Sequence, residues 1–211
     1  MKAEFISNMG SDGTVCDAAR VSFDKAASNY TVDQNARLIK YLATHGHFTP
    51  FTHPQITLRY TVPIFVARQE FKHIVGFTRN EVSRRYVSDA PEFFTPEVWR
   101  SKPDGSVKQG SGGAHPRSDT VKEAYENLID AMSTCYESMI NIGVAPEQAR
   151  MVLPQSMYTS YYVTGSLAAF ARFYNQRSDS HAQVEIQQLA EQVNEIIAPL
   201  YPVSWAALTG K

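Results

Sequence analysis

The chain's 211 residues suffice for one sizeable domain with a real core and are too few for two full ones. Apolar residues make up 43% and charged ones 19%, ordinary for a soluble globular chain, and the net charge of −1 excludes a global bias toward nucleic acid or membrane. No apolar run follows a basic start or is long enough to span a bilayer.

Cys16 and Cys135 lie far apart without metal or redox spacing, so a cytosolic, reducing compartment is expected (the host cytoplasm, if the source is a virus). Residues 2–7 alternate weakly through Ala3, Phe5 and Ser7 and read as a first strand. A short helix is expected over 17–24, with Arg20 facing a ligand or solvent. Residues 31–45 form a clearer helix: Thr31 or Asp33 caps it, and Ala36, Leu38, Ile39, Leu42 and Ala43 make its apolar face. Gly46 ends it in the left-handed conformation.

Positions 45–53 then hold half of the six histidines, His45, His47 and His53. No cysteine or nearby carboxylate joins them, and first-row metal sites usually mix such ligands. Hydrogen bonding to a ligand or to the backbone is therefore expected in place of a metal. Residues 55–62 alternate, with β-branched and aromatic side chains, and read as a strand.

The run 63–86, PIFVARQEFKHIVGFTRNEVSRRY, mixes charge with apolar content in a way that suggests a half-buried polar site. Pro63 suits a first helical position, and Ile64, Ala67, Phe71 and Ile74 recur as one apolar stripe. Arg68 with Lys72 and Gln69 with His73 stack on other faces. Beyond Gly76, residues 81–86 read as extended, with Glu81, Ser83 and Arg85 pointing one way and Val82, Arg84 and Tyr86 the other. A hydroxyl beside guanidinium groups makes a pocket for a phosphorylated ligand, and an ion-paired connection is the competing reading.

Residues 88–118 hold four prolines and a Gly/Ser-rich stretch over 105–113, and read as a flexible surface loop or lid. Asp119 caps a long helix to Ile142, with Ala124, Leu128, Ala131, Met132, Cys135, Met139 and Ile142 on its buried face, stopped by Gly143. Pro146 starts a short helix in which Arg150, among apolar neighbours, contacts a buried anion or forms a core salt bridge. Residues 157–164 are strand-like, and 166–176 are helical with Leu167, Phe170, Ala171 and Tyr174 inward. Ser180 and Gln183 form a capping box for the last long helix, whose buried stripe is Ala182, Ile186, Leu189, Val193 and Ile196. Arg177, just before it, favours an anionic group there. The class expected is α+β: a single domain with an antiparallel-rich sheet and long helices.

Three blocks together resemble flavin-dependent thymidylate synthases: AARVSFD (18–24); HGHFTPFTHPQITLRYTVPIFVARQEFKH (45–73) with NEVSRRY (80–86); and ARMVLP (149–154) with RSDSHAQVEIQQ (177–188). They come in the family's order over most of the chain. The resemblance implies methylation of dUMP to dTMP, with 5,10-methylenetetrahydrofolate as carbon donor and FAD, reduced by NADPH, as hydride source. It also implies a homotetramer whose active sites lie where subunits meet. Gln69, Lys72, Glu81, Ser83, Arg84, Arg85, Arg150 and Arg177 fall where the family holds the nucleotide. Arg177 would lie against the uracil and stabilise negative charge on the ring. Thr49, Lys72, His73 and Glu81 would meet FAD, with His47 near the reacting centre. Ser83 occupies the position of a proposed nucleophile, but a serine without a base is a poor one, so a substrate contact is the safer role.

The family's motif RHRxxSxNExSxRY departs here to Lys72, His73 and Ile74, with one extra residue before Asn80. Ile74 removes a flavin-binding guanidinium, and Arg79 is the candidate replacement. Ser166 and Ala168 stand where the family has flavin-contacting Asn and Arg, and Arg172 where an Asn is common; Ser166 and Arg172 join the FAD set. The departures motivate an alternative, a nucleotide-binding protein that has lost its flavin site. A metal-dependent nucleotide hydrolase using His45, His47 and His53 is a third reading. Neither cysteine has a polar activating neighbourhood, which argues against a cysteine nucleophile.

Overall fold

Alternation in the second strand decides the architecture. In β2 (Gln55–Pro63), Ile56, Leu58, Tyr60 and Val62 are buried on one side, while Gln55, Thr57, Arg59 and Thr61 occupy the other. Around it the computed structural model, which describes residues 1–86, 89–103, 105 and 110–210, places β1 (Lys2–Met9), β3 (Phe77–Glu81) and β4 (Tyr158–Ser166). The sheet order is β1-β2-β4-β3 with every pair antiparallel. Ile56, Leu58 and Tyr60 lie opposite Gly165, Val163 and Tyr161 of β4, so both strands bury the same face. The other face is polar. Thr57 hydrogen-bonds Thr164 (2.9 Å) and Thr61 hydrogen-bonds Ser160 (3.1 Å) across the ladder.

Helices cover the apolar face. These are α1 (Asp12–Arg20), α2 (Val32–Thr44), α3 (Ile64–Glu70), α6 (Leu167–Arg177), α7 (Val184–Ile197) and α8 (Pro202–Thr209). Ile39 and Leu42, Phe170 and Phe173, Ile186 and Leu189, and Trp205 fill one core with the strand residues. Two further helices, α4 (Ser118–Asn141) and α5 (Pro146–Ala149), complete the described chain. The mixed α+β single domain is as the sequence led us to expect. Among the described residues no helix is long and apolar enough to cross a membrane.

Several elements begin or end elsewhere than periodicity indicated. The first helix starts at Asp12, not Asp17, because Ser11 and Thr14 form a capping box there. Thr31 caps α2 with Gln34 as its reciprocal partner, and Gly46 follows at φ +70°. Pro63 stays extended, as the last strand residue and the cap of α3, and that helix ends at Glu70. Ile74 is therefore 74% exposed rather than part of a buried stripe. The extended segment is 77–81, not 81–86. Val82 still donates to Ser160 O (2.9 Å), and the chain then turns, with Tyr86 N bonded to Ser83 O (3.0 Å). No side chain caps α7, so the Ser180–Gln183 box does not form; Asp179 instead accepts from His181 N (2.8 Å).

The largest departure is in α4. Cys135 is exposed, Leu128 is 52% and Ile142 76% exposed, and Tyr136 is the one fully buried residue of the helix. Of the stripe expected in the core, only Met132 and Met139 are half-buried, and Ala124, Leu128, Ala131, Cys135 and Ile142 are exposed. The adjoining face, through Tyr125 and Tyr136, meets the Phe94–Trp99 segment, α5 and the turn that follows α5. Residues 88, 104 and 106–109 of the expected 88–118 loop lie outside the described residues. The described part is tied down: Phe93 bridges Met157, Arg100 bridges Ala114, and Tyr158 N donates to Glu92 O (2.8 Å).

Gly165 marks the tightest approach of β3 to β4. A methyl group there would stand 2.4 Å from the Phe77 ring and 3.1 Å from Gly76 O. Gly165→Ala should cost about 1–3 kcal/mol of stability as Phe77 is forced off Phe170. Urea denaturation checks this, and an unchanged midpoint would refute the packing described.

Candidate functional site

The expected site residues fall into three groups on the chain. The first surrounds a cavity of about 690 Å³ where β3 ends, β4 begins and the turn after α5 passes. Glu81, Ser83, Arg84 and Arg150 line it together with Arg59. Thr159 donates its hydroxyl to Glu81 Oε1 (2.6 Å), and Arg59 Nε donates to Ser160 Oγ (3.1 Å). Arg84 donates to Asp89 O, and Arg150 Nε to Glu147 O (3.3 Å). Arg150 is exposed, so neither a buried anion contact nor a core salt bridge describes it. Arg85 pairs with Glu147 at 3.3 Å with both side chains about half exposed, a contact worth little by itself.

Ser83 Oγ accepts from Arg85 N (3.3 Å), and among the described residues no histidine or carboxylate is hydrogen-bonded to it to act as a base. Arg59 was missed in the sequence. The available signal was an arginine between two threonines on the outward side of an alternating strand.

The second group lies where the turn 71–76 meets the end of α6. Arg177 Nε donates to His73 Nε2 (2.9 Å) and Arg177 Nη2 to Gln69 O (3.3 Å). His73 is buried and packs edge-on against Phe173, with ring centres 5.2 Å apart. Gln69 Nε2 donates to Gln183 Oε1 (2.6 Å), and Gln183 in turn to Glu185 Oε2 (2.8 Å). Gln69, Arg177 and Gln183 share the wall of a second cavity, of about 830 Å³. The first cavity holds none of Gln69, Lys72, His73 and Arg177; the second holds none of Glu81, Ser83, Arg84 and Arg150.

Burial depresses the His73 pKa to about 4, with the guanidinium groups of Arg177, Arg172 and Arg79 adding to the effect. The ring is neutral, and because Nε2 accepts from Arg177 its proton sits on Nδ1. Arg177 is thereby held by a neutral acceptor.

Residues assigned to a flavin divide. Lys72 is exposed on the 71–76 turn, and Arg172 is exposed on α6 and donates to Val75 O of that turn. Ser166 and Arg79 have other tasks. Ser166 is 5% exposed and its Oγ accepts from Ala169 N (3.2 Å) as the cap of α6. Arg79 turns inward: Nε and Nη2 grip the Glu70 carboxylate at 2.8 and 2.6 Å, and Nη2 also reaches His73 O at 2.6 Å. Its guanidinium is thereby committed to Glu70 and the 71–76 turn, whereas the Ile74 side chain is exposed.

His47 and Thr49 make the third group, both exposed, on a segment anchored by buried Phe51. Tyr41 stacks against His45 and His47 with ring centres 4.1 and 6.1 Å away, and His45 Nδ1 is 2.8 Å from Tyr41 O. Among the described residues no three His, Cys, Asp or Glu side chains converge as metal ligands would.

Comparison with known proteins gives this geometry its context. The thymidylate synthase complementing protein family matches residues 4–203. The flavin-dependent thymidylate synthase of Thermosipho africanus (strain TCF52B) is 37% identical over 203 residues, covering 96% of this chain and 88% of its own length. That of Kosmotoga olearia is 38% identical over 202 residues, covering 94% and 86%. Among solved structures, the UMP/dUMP methylase PolB from Streptomyces cacaoi bound with 5-Br dUMP superposes with a TM-score of 0.88. It is 31% identical, and the match covers 99% of this chain and 94% of that one.

The His73 environment makes a prediction about protons. An unfolded chain takes up a proton on this histidine near pH 6.5 and the folded chain only near 4. The stability His73 contributes is thus complete above about pH 6.5 and is lost as pH falls toward 4. NMR titration of the His73 ring should give a midpoint near 4, moved upward in Arg177→Ala. A midpoint at 6.5 in the parent would contradict the buried, neutral ring.

Proposed function

The chain belongs to the thymidylate synthase complementing protein family, the flavin-dependent thymidylate synthases, and on that premise we propose that it converts dUMP to dTMP. In this reading 5,10-methylenetetrahydrofolate donates the carbon unit, and NADPH is the reductant. The observation that carries the reading is the first cavity. Arg59, Arg84 and Arg150 arrive there from three distant parts of the chain beside the Ser83 hydroxyl. Guanidinium forks and a hydroxyl are the donors a phosphate monoester requires.

Arg177 then serves the other end of the nucleotide. With Nε held by His73 and Nη2 by Gln69 O, its remaining terminal nitrogen makes no hydrogen bond among the described residues. We assign that nitrogen to the uracil, where a fixed cation stabilises negative charge as it develops on the ring. Phosphate and base sites lie in different cavities of one chain, which supports completion of each active site by neighbouring subunits. The bare apolar stripe of α4, through Leu128, Ala131 and Cys135, supports the same homotetramer.

FAD supplies a hydride when bound. Lys72 and Arg172 would hold its diphosphate, Thr49, His73 and Glu81 the rest, with His47 beside the reacting centre. A nucleotide-binding protein without flavin is the competing reading, favoured by the inward turn of Arg79 and the capping role of Ser166.

An absorbance spectrum separates the two readings. Flavin bands that bleach with NADPH are expected, with dTMP formed only when dUMP and the folate are present. Bound dUMP without retained or recruited flavin would leave the nucleotide-binding reading instead. Arg177→Ala should lower turnover at least tenfold with a melting temperature within a few degrees of the parent, since a half-exposed arginine at a helix end carries little stability. Ser83→Ala should weaken dUMP binding yet retain measurable turnover. Normal binding with complete loss of turnover would instead assign Ser83 a covalent role.

A further inference from the structure

Glu70, the last residue of α3, is 1% exposed, and its carboxylate faces the interior. A carboxylate in such a position is costly unless paired and hydrogen-bonded. Arg79 meets it with a two-point fork, and Tyr161 Oη donates to Oε2 (3.2 Å). The same guanidinium caps the end of the helix. Arg79 Nη2 donates to His73 O (2.6 Å) and also to Glu70 O (3.2 Å), which His73 N already meets at 3.0 Å. One side chain on β3 therefore ties together the end of α3, the 71–76 turn and the sheet. His73, whose carbonyl is held this way, is the residue whose ring accepts from Arg177.

We propose that the buried Glu70–Arg79 pair is a positioning element for Arg177: it fixes the 71–76 turn so that His73 Nε2 stands at the height and angle that orient the Arg177 guanidinium. The arginine next to Asn80 thus does not replace the guanidinium missing at Ile74. It takes a different task, holding from inside a turn whose outer surface has changed. The proposal rests on the reading in which Arg177 faces the uracil. Arg79 itself touches neither substrate nor cofactor in this arrangement, and acts through His73.

Removing one partner alone would bury an unpaired charge, so the informative variant is Glu70→Met with Arg79→Met, which removes both charges together. The readouts are the melting temperature, solvent exchange of the Arg177 Nε–H proton by NMR, and kcat with dUMP. The double variant is expected to fold, to lose protection of Arg177 Nε–H, and to drop at least tenfold in kcat. In an Arg177→Ala background the same pair of changes should have no further effect on kcat, because the interaction it supports is already gone.

A folded double variant with parental Nε–H protection and kcat would overturn the proposal, as would a full, independent loss in the Arg177→Ala background. Should the double variant not fold, Arg79→Lys decides. Lysine supplies the charge for Glu70 but cannot span two carboxylate oxygens and two carbonyls, so a folded protein with exposed Arg177 Nε–H is expected. Parental behaviour of Arg79→Lys, or its failure to fold, would place the pair in the stability of the domain alone. The Nε–H measurement needs no ligand. A parent protein that shows the protected proton but no activity toward dUMP would refute the functional reading and leave the positioning role standing.

Discussion

The pairing of β2 with β4 is the constraint from which the remaining geometry follows. It runs without interruption from Gln55 opposite Ser166 to Pro63 opposite Tyr158. Because the strands are antiparallel, α3 leaves the sheet at one end and α6 at the other. β3 must begin opposite Gly165, beside the start of α6, so the chain after α3 has to return along the sheet before it can pair. The 71–76 turn is where that return is made. It reverses at Gly76, whose φ is +82° and which lies so close to Ser166 and Ala169 that a side chain there would collide. Packing this turn against α6 brings His73 to Phe173 and Arg177. Arg177 and its acceptor, 104 residues apart in sequence, meet because two strands pair elsewhere.

Electrostatics then sorts the cations by burial. Arg79 is desolvated and must be paired, so it is committed to Glu70 with 15% of its side chain exposed. Arg177 is partly buried and held by a neutral ring and a carbonyl, contacts that orient a guanidinium without neutralising it. Half-buried Arg84 and exposed Arg150 donate to the backbone carbonyls of Asp89 and Glu147. Chemically identical side chains are thus held by different partners: a carboxylate, a neutral ring with a carbonyl, and carbonyls.

The division of the site between two cavities has a structural cause. Arg59, Ser83 and Arg150 gather at the Pro63 end of the β2–β4 ladder, whereas Arg177 lies beyond α6, which starts at the Ser166 end. The two sets therefore line separate cavities, and Leu128 and Cys135 of α4 are exposed on the surface of this chain.

Local physics was legible in the sequence. The strands β2 and β4, the helices α2 and α6 and their apolar faces follow from periods of two and 3.6 and from caps such as Thr31. Glu81, Ser83, Arg84 and Arg150, which line the first cavity together, were singled out from spaced blocks of the sequence. Tertiary structure decided what depends on distant partners. Arg59 joins the site because of strand register, and Arg79 turns inward because Glu70 waits there, which no spacing along the chain reveals. The long helix α4 carries two stripes apolar enough to be buried, and periodicity is indifferent between them. Only the positions of Phe94, Trp99 and α5 select the one that faces this chain and leave Cys135 outside, because burial is a property of neighbours and not of a residue's own pattern.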